Sequence, residues 1–307
     1  MLGRRDLLNS ALAGALAASW SVAALAAGNG RFLEYRDLRA SGLPDQRLTI
    51  WLPPGYDAGS KRYRVLYMHD AQNLFDPALS NFNKVWAADK AMMAHAAKHG
   101  EDPWIIIGIW SPDADRYRQY MPQPAYEAAS PDLRARMDAF GNGGPIVSKL
   151  YIDWIANTLK PWADRAFRTR PGRDETAIIG SSMGGLISLY AFLEHTNVFG
   201  RAGCVSTHWP GTNPTGVDGV DIEMLRIWTN MLEAKLGVPE GRKIWFDHGD
   251  ATLDAYYPPY QDVIDATIGS TAWVRGEHWE SRFYPGAEHE ENAWAQRLPD
   301  VFEWVLG

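Results

Sequence analysis

The run Ile105-Ile106-Ile107, inside the apolar segment 104–110, has no polar residue at alternate positions. Successive side chains of a strand point to opposite faces, so such a strand must be covered on both sides, and it is far too short to cross a bilayer. Similar short runs, rich in β-branched and aromatic residues, recur at 48–52, 63–68, 176–180, 203–205, 243–246 and 281–284. Between them lie segments of helical periodicity at 85–98, 147–167, 184–195, 225–236 and 260–268, with 291–305 closing the chain. Strands buried on both faces and joined by helical crossovers define the α/β class, a mostly parallel central sheet with helices on both faces. No repeat or linker-like tract interrupts residues 27–307, so one domain is expected. Two stretches break the alternation, 111–145 and 207–241, both rich in Pro and Gly. In open α/β sheets such insertions sit over the strand ends, where ligands bind.

The amino terminus reads as an address. Arg4-Arg5 precede an apolar run from Leu7 that ends in Ala24-Leu25-Ala26, so residues 1–26 are expected to be a signal peptide cut before Ala27. The paired arginines, and a run diluted by Asn9, Ser10, Ser19 and Ser21, favour twin-arginine export. The expected location is the bacterial periplasm or the medium, with no stable membrane association after cleavage. The lone cysteine, Cys204, allows neither an intramolecular disulfide nor a Cys-based zinc site. A net charge of −7 excludes a general nucleic-acid binder, because phosphate backbones are held by clustered Lys and Arg.

The 176–180 strand runs into Gly180-Ser181-Ser182-Met183-Gly184-Gly185 and then into the apolar helical segment from Leu186. This is the G-x-S-x-G elbow, a strand-to-helix turn so sharp that the central serine is thrust out. Only Ser182 has glycines two positions to either side, which makes it the expected nucleophile. A serine hydroxyl needs a histidine to take its proton and a carboxylate to orient that histidine, and in α/β-hydrolases the chain order is serine, acid, histidine. Of the histidines beyond the elbow's helix (His208, His248, His278 and His289), His289 stands in the loop between the last strand and the last helix, where the base is expected. His248 is expected to pack at a strand end and His278 at the surface. The segment 247–254 offers Asp247, Asp250 and Asp254 as acids; Asp247 belongs to the strand, and spacing alone does not choose between Asp250 and Asp254. Carbonyl-oxygen charge would be met by the N–H of Met183 and a donor in the loop 69–75, for which Gln72 is the choice with Ala71 close behind. His69 and Asp70 are expected to brace that loop. No metal and no cofactor are required.

Five stretches together resemble one family: Trp51-Leu52-Pro53-Pro54-Gly55-Tyr56, 67–76, the elbow, 249–261 with Leu253-Asp254 and Tyr257, and Gly286-Ala287-Glu288-His289 through Trp294. They are similar to the esterase D and enterochelin-esterase-like branch of the α/β-hydrolases. The resemblance implies the α/β-hydrolase fold, metal-free ester hydrolysis through an acyl-serine, and a Ser182, Asp254, His289 triad with Asp250 as the rival acid. Together with the export expected from the amino terminus, it points to an exported carboxylic-ester hydrolase acting on feruloyl, acetyl or similar esters carried on a carbohydrate, or on a small-molecule ester. Siderophore-lactone esterase, thioesterase, acyltransferase and a catalytically inactive binding protein are the alternatives. Arg116 and Tyr117 in the first insertion, with Arg118 and Tyr120 beside them, are candidate substrate contacts. Of fourteen tryptophans, Trp20 leaves with the signal peptide; Trp209 and Trp110 are placed to face a substrate, and those in the other strand and helix patterns fit core or partly buried positions.

Overall fold

The computed structural model describes residues 30–80, 82–215 and 219–307, and the signal-peptide reading of 1–26 lies outside them. The strands are β1 (Arg31–Leu38), β2 (Gln46–Leu52), β3 (Val65–His69), β4 (Ile105–Ile109), β5 (Thr176–Ser181), β6 (Arg201–Val205), β7 (Lys243–His248) and β8 (Trp279–Phe283). They form one eight-stranded sheet in the order β1-β2-β4-β3-β5-β6-β7-β8. β2 pairs antiparallel with both β1 and β4, and every other pairing is parallel. The seven expected apolar runs all fall in strands. β1 escaped the sequence pattern because RFLEYRDL is charged along its length, as an edge strand that is only partly covered can be.

The helices are α1 (Ala88–His99), α2 (Arg116–Tyr120), α3 (Gln123–Ala128), α4 (Pro131–Phe140), α5 (Ser148–Trp154), α6 (Lys160–Ala166), α7 (Met183–Glu194), α8 (Ile222–Lys235), α9 (Pro258–Gly269) and α10 (Glu291–Leu306). The long helical pattern at 147–167 is α5 and α6 joined by a π-turn at Ile155–Leu159. The strand pleat divides the core in two. Ile105, Ile107 and Ile109 enter one cluster with α7 and the helices of the insertions, while Ile106, Leu66, Met68 and Ile179 enter another beneath α1 and α10. Buried tryptophans serve both faces: Trp209, Trp228, Trp273 and Trp279 on one, Trp51, Trp86, Trp104, Trp245 and Trp294 on the other. The insertion 111–145 folds into α2, α3 and α4, and 207–241 contains α8. The carboxyl ends of β3, β5, β6 and β7 open on one edge of the sheet, where the chemistry-bearing loops begin.

Candidate active site

β5 delivers Ser182 into an elbow with φ 59° and ψ −122°, a backbone conformation that non-glycine residues rarely hold. Surrounding contacts over-determine it. The Ser182 N–H donates to Val205 O at 2.9 Å, and its carbonyl accepts from Gly185 N at 3.0 Å and His208 N at 3.2 Å. Gly180 is required, because a Cβ there would lie 2.6 Å from the carbonyl oxygen of Gly184. Met183 opens α7, so its N–H is among the first-turn donors that have no acceptor within the helix, at the positive end of the helix dipole.

The loops after β7 and β8 bring an acid to a histidine. His289 Nδ1 lies 2.6 Å from Asp254 Oδ1. The other carboxylate oxygen of Asp254 accepts from Gly249 N at 2.6 Å and Ser206 Oγ at 2.7 Å. Burial alone would raise the Asp254 carboxyl, but the hydrogen bonds from His289, Ser206 and Gly249 outweigh it and hold the group below its ordinary range. Behind it, Arg297 donates to Asp247 Oδ1 at 2.8 Å and to Ser206 Oγ at 3.0 Å. Asp247 is fully buried, and burial raises its carboxyl despite Arg297. Two buried carboxylates thus face one buried guanidinium, leaving an excess negative charge on the far side of His289.

A second polar chain reaches the serine from the other side. His208 Nε2 lies 3.0 Å from Thr212 O, a pure acceptor, so Nε2 carries the proton and Nδ1 accepts from the Tyr257 hydroxyl at 2.8 Å. Burial pulls His208 down to about 3, so this tautomer stays neutral. The Tyr257 hydroxyl, its proton committed to His208, also faces the Ser182 side chain. The Tyr257 ring also stands edge-on to His289 at 5.5 Å. The serine therefore rests against tyrosine, within the same cleft as the histidine.

That cleft has a volume of about 500 Å³ and is lined by Ser182, His289, Gln72, Asp70, Arg116 and Trp294, with Asn73, Phe82, Lys84 and Glu290 towards the rim. Residues 44–305 match the sequence profile of the family described as "Putative esterase". The chain belongs to that esterase family. YbbA of Bacillus subtilis strain 168, an uncharacterised protein, is 26% identical over 264 residues, 86% of this chain and 93% of its own. Among solved structures, the siderophore hydrolase EstA from Aspergillus nidulans is similar at a TM-score of 0.62 and 14% identity, covering 93% of this chain and 99% of that one. The feruloyl esterase module from Clostridium thermocellum, complexed with sinapinate, is similar at 0.59 and 15%, covering 94% and 93%. These likenesses establish the α/β-hydrolase fold.

In this esterase the structure brings together Ser182, His289, Asp254, Met183 and Gln72 at the carboxyl edge of the sheet, adds Arg116 to the cleft wall, and sends the other expected residues elsewhere. Asp250 is not on the histidine ring: its Oδ1 accepts from Gly286 N at 2.6 Å, tying the acid loop to the histidine loop. Gln72 lines the cleft, but its side chain is spent on Ser111, donating to Oγ at 2.6 Å. Arg116 does reach the cleft, clamped by Asp70 through bonds of 2.7 and 2.8 Å, so it enters as half of an ion pair. Tyr117 corrects the expectation of a substrate contact. Its hydroxyl donates to Gly211 O at 2.6 Å and its ring is buried edge-on to Phe140. Trp209 is a second correction: fully buried, it donates to Gln261 Oε1 at 2.8 Å and packs on Trp228 and Phe246. Trp110 lies under the Arg47 guanidinium, outside the cleft lining. Arg118 is held by Asp115 and Pro145 O, and Tyr120 is buried. The tryptophan that does line the cleft is Trp294, edge-on to His289 at 5.0 Å and donating to Ser206 at 3.1 Å. Sequence reasoning placed it in the core because its helical position is apolar; its distance of five residues from His289 was the available signal. His208 had no such signal. His69 braces as expected, with Nδ1 2.9 Å from the Tyr151 hydroxyl, whereas His278 is half-buried and accepts from Val274 N at 3.1 Å.

Proposed function

We propose that this esterase is a serine carboxylic-ester hydrolase that works through an acyl-serine. The observation that carries the reading is the shared cleft of an elbow serine and a histidine whose far nitrogen is 2.6 Å from a buried carboxylate. Rotation of the Ser182 side chain within the cleft presents its hydroxyl to His289 Nε2. His289 takes the proton as the oxygen attacks the ester carbonyl, Asp254 holds the tautomer and balances the imidazolium, and the Met183 N–H, with a donor from the Gln72 loop, meets the oxyanion. His289 then protonates the leaving alcohol, and a water enters by the same route to release the acid. Electrostatic stabilisation and the base together account for the bulk of such rate enhancements.

The substrate we favour is an ester of an aromatic or acetyl acyl group carried on a hydroxyl-rich alcohol such as a carbohydrate. The cleft walls support it: Phe82, 70% exposed at the rim, offers a ring to an aromatic acid, while Asn73, Lys84 and Glu291 offer polar partners to hydroxyls. The amino-terminal pattern supports export to the periplasm or medium. Turnover of an aryl acetate, together with fluorophosphonate labelling, tests the chemistry. Both are expected to vanish in Ser182→Ala, and undiminished turnover would sink the assignment. Hydrolysis rates across feruloyl, acetyl-sugar, siderophore-lactone and thioester substrates, with and without an acceptor alcohol, test the substrate class and separate hydrolysis from acyl transfer.

A further inference from the structure

Away from the cleft, α1 and α10 pack together on one face of the sheet. His95 and His99 lie one turn apart on α1, a spacing that puts both imidazoles on the same side of the helix, and Glu303 of α10 faces them. The two rings are 4.7 Å apart between centroids. His99 Nε2 is 2.8 Å from Glu303 Oε2, and one donor atom from each of the three residues lies within 4.8 Å of the others. His95 is buried, its ring edge-on to Phe302 at 6.3 Å.

We propose that His95, His99 and Glu303 form a binding site for a divalent transition metal of the zinc class, which clips α1 to α10. Two imidazoles and a carboxylate are a donor set that borderline ions take and that magnesium and calcium, with their preference for oxygen, do not. Water fills the fourth position. Tetrahedral donors at zinc distances stand roughly 3.3 Å apart, so closing the site needs shifts of about 1 Å. Rotation of two side chains supplies them, since the His99 and Glu303 side chains are 31% and 41% exposed. One group opposes the ion. Lys98 Nζ sits 2.9 Å from the same Glu303 oxygen and must be displaced. Glu303 stands twelve residues along α10 from Glu291, about 18 Å of helix, so the ion would restrain the fold and leave the ester chemistry alone.

The test is titration of untagged, EDTA-treated protein with Zn²⁺, Co²⁺ and Mg²⁺, read by calorimetry, thermal unfolding and, for Co²⁺, visible absorption. One equivalent of Co²⁺ with the intense absorption of a tetrahedral ion is expected. At a hundred times the dissociation constant, Zn²⁺ should raise Tm by roughly 5–10 °C, and Mg²⁺ should not. His99→Ala and Glu303→Gln, both on the exposed side, should each weaken binding at least tenfold, and so should His95→Ala if it folds. Lys98→Ala should tighten binding severalfold without changing aryl acetate turnover. Absence of saturable binding, binding that survives loss of His99 and Glu303, or a Lys98→Ala variant that binds no better would each overturn the site and leave an ordinary surface ion-pair cluster.

Discussion

The acid side of the cleft and its rim are built on opposite principles. Behind His289, Asp254, Asp247, Arg297 and Ser206 are buried, and the Asp254, Asp247 and Ser206 side chains each make several short bonds. At the rim, Lys84 meets Glu290 at 2.7 Å with side chains 39% and 20% exposed, and Phe82 stands out into solvent. A buried charge cannot lose a partner cheaply, whereas an exposed pair trades each bond for one to water. On the proposed function, catalytic geometry is kept where substitution is costly, and the surface that would meet the substrate is left where substitution is cheap.

Four substitutions and a pH series would break or sharpen that contrast, the largest effect first. Asp254→Asn should lower kcat roughly 10³–10⁴-fold by releasing the histidine tautomer, measured on an aryl ester with KM little changed. A loss below tenfold would move the acid elsewhere. Arg297→Met leaves Asp247 buried without its cation and should cost about 3–5 kcal/mol in denaturant unfolding. Stability should also fall in mild acid. His208 and His69 are held by burial at about 3 and about 4 in the fold, below the 6.5 of an exposed histidine. The unfolded chain takes up protons first as pH drops through that value, so the loss grows until the folded histidines titrate. His208 alone should account for about 2 kcal/mol between pH 7 and pH 5, and unfolding midpoints that do not move with pH would contradict its neutral burial. Asp250→Asn, which only weakens a loop tie to Gly286, should reduce kcat less than tenfold, in contrast to Asp254→Asn. Lys84→Ala at the rim should shift stability by less than about 1 kcal/mol and show itself, if anywhere, in KM for polar substrates.

The fold was legible because two-sided apolar strands such as Ile105–Ile109 leave few options, and the elbow because only small residues fit beside Ser182. Asp250 and Asp254 could not be separated by spacing, since both precede His289 and both sit in one loop; what separates them is which carboxylate the 3-10 turn at Thr252–Tyr256 carries inward. Trp209 and Tyr117 misled because an aromatic in an insertion reads equally as binding surface or packing. Their polar atoms satisfy Gln261 and Gly211. The Tyr257–His208 chain depends on contacts across 49 residues of sequence, which no local pattern encodes.

The acid and histidine loops are sewn to each other along their backbones. Ala251 N donates to Ala287 O at 3.1 Å, His289 N to Thr252 Oγ1 at 2.8 Å, and a Cβ on Gly249 would meet Ala287 O at 2.0 Å. Acid and base consequently travel as one cassette, and thermal motion displaces them in common rather than apart. On the proposed function, a lineage carrying this cassette could remodel residues 111–145 or the rim around Phe82, and so change its diet, without retuning the proton relay.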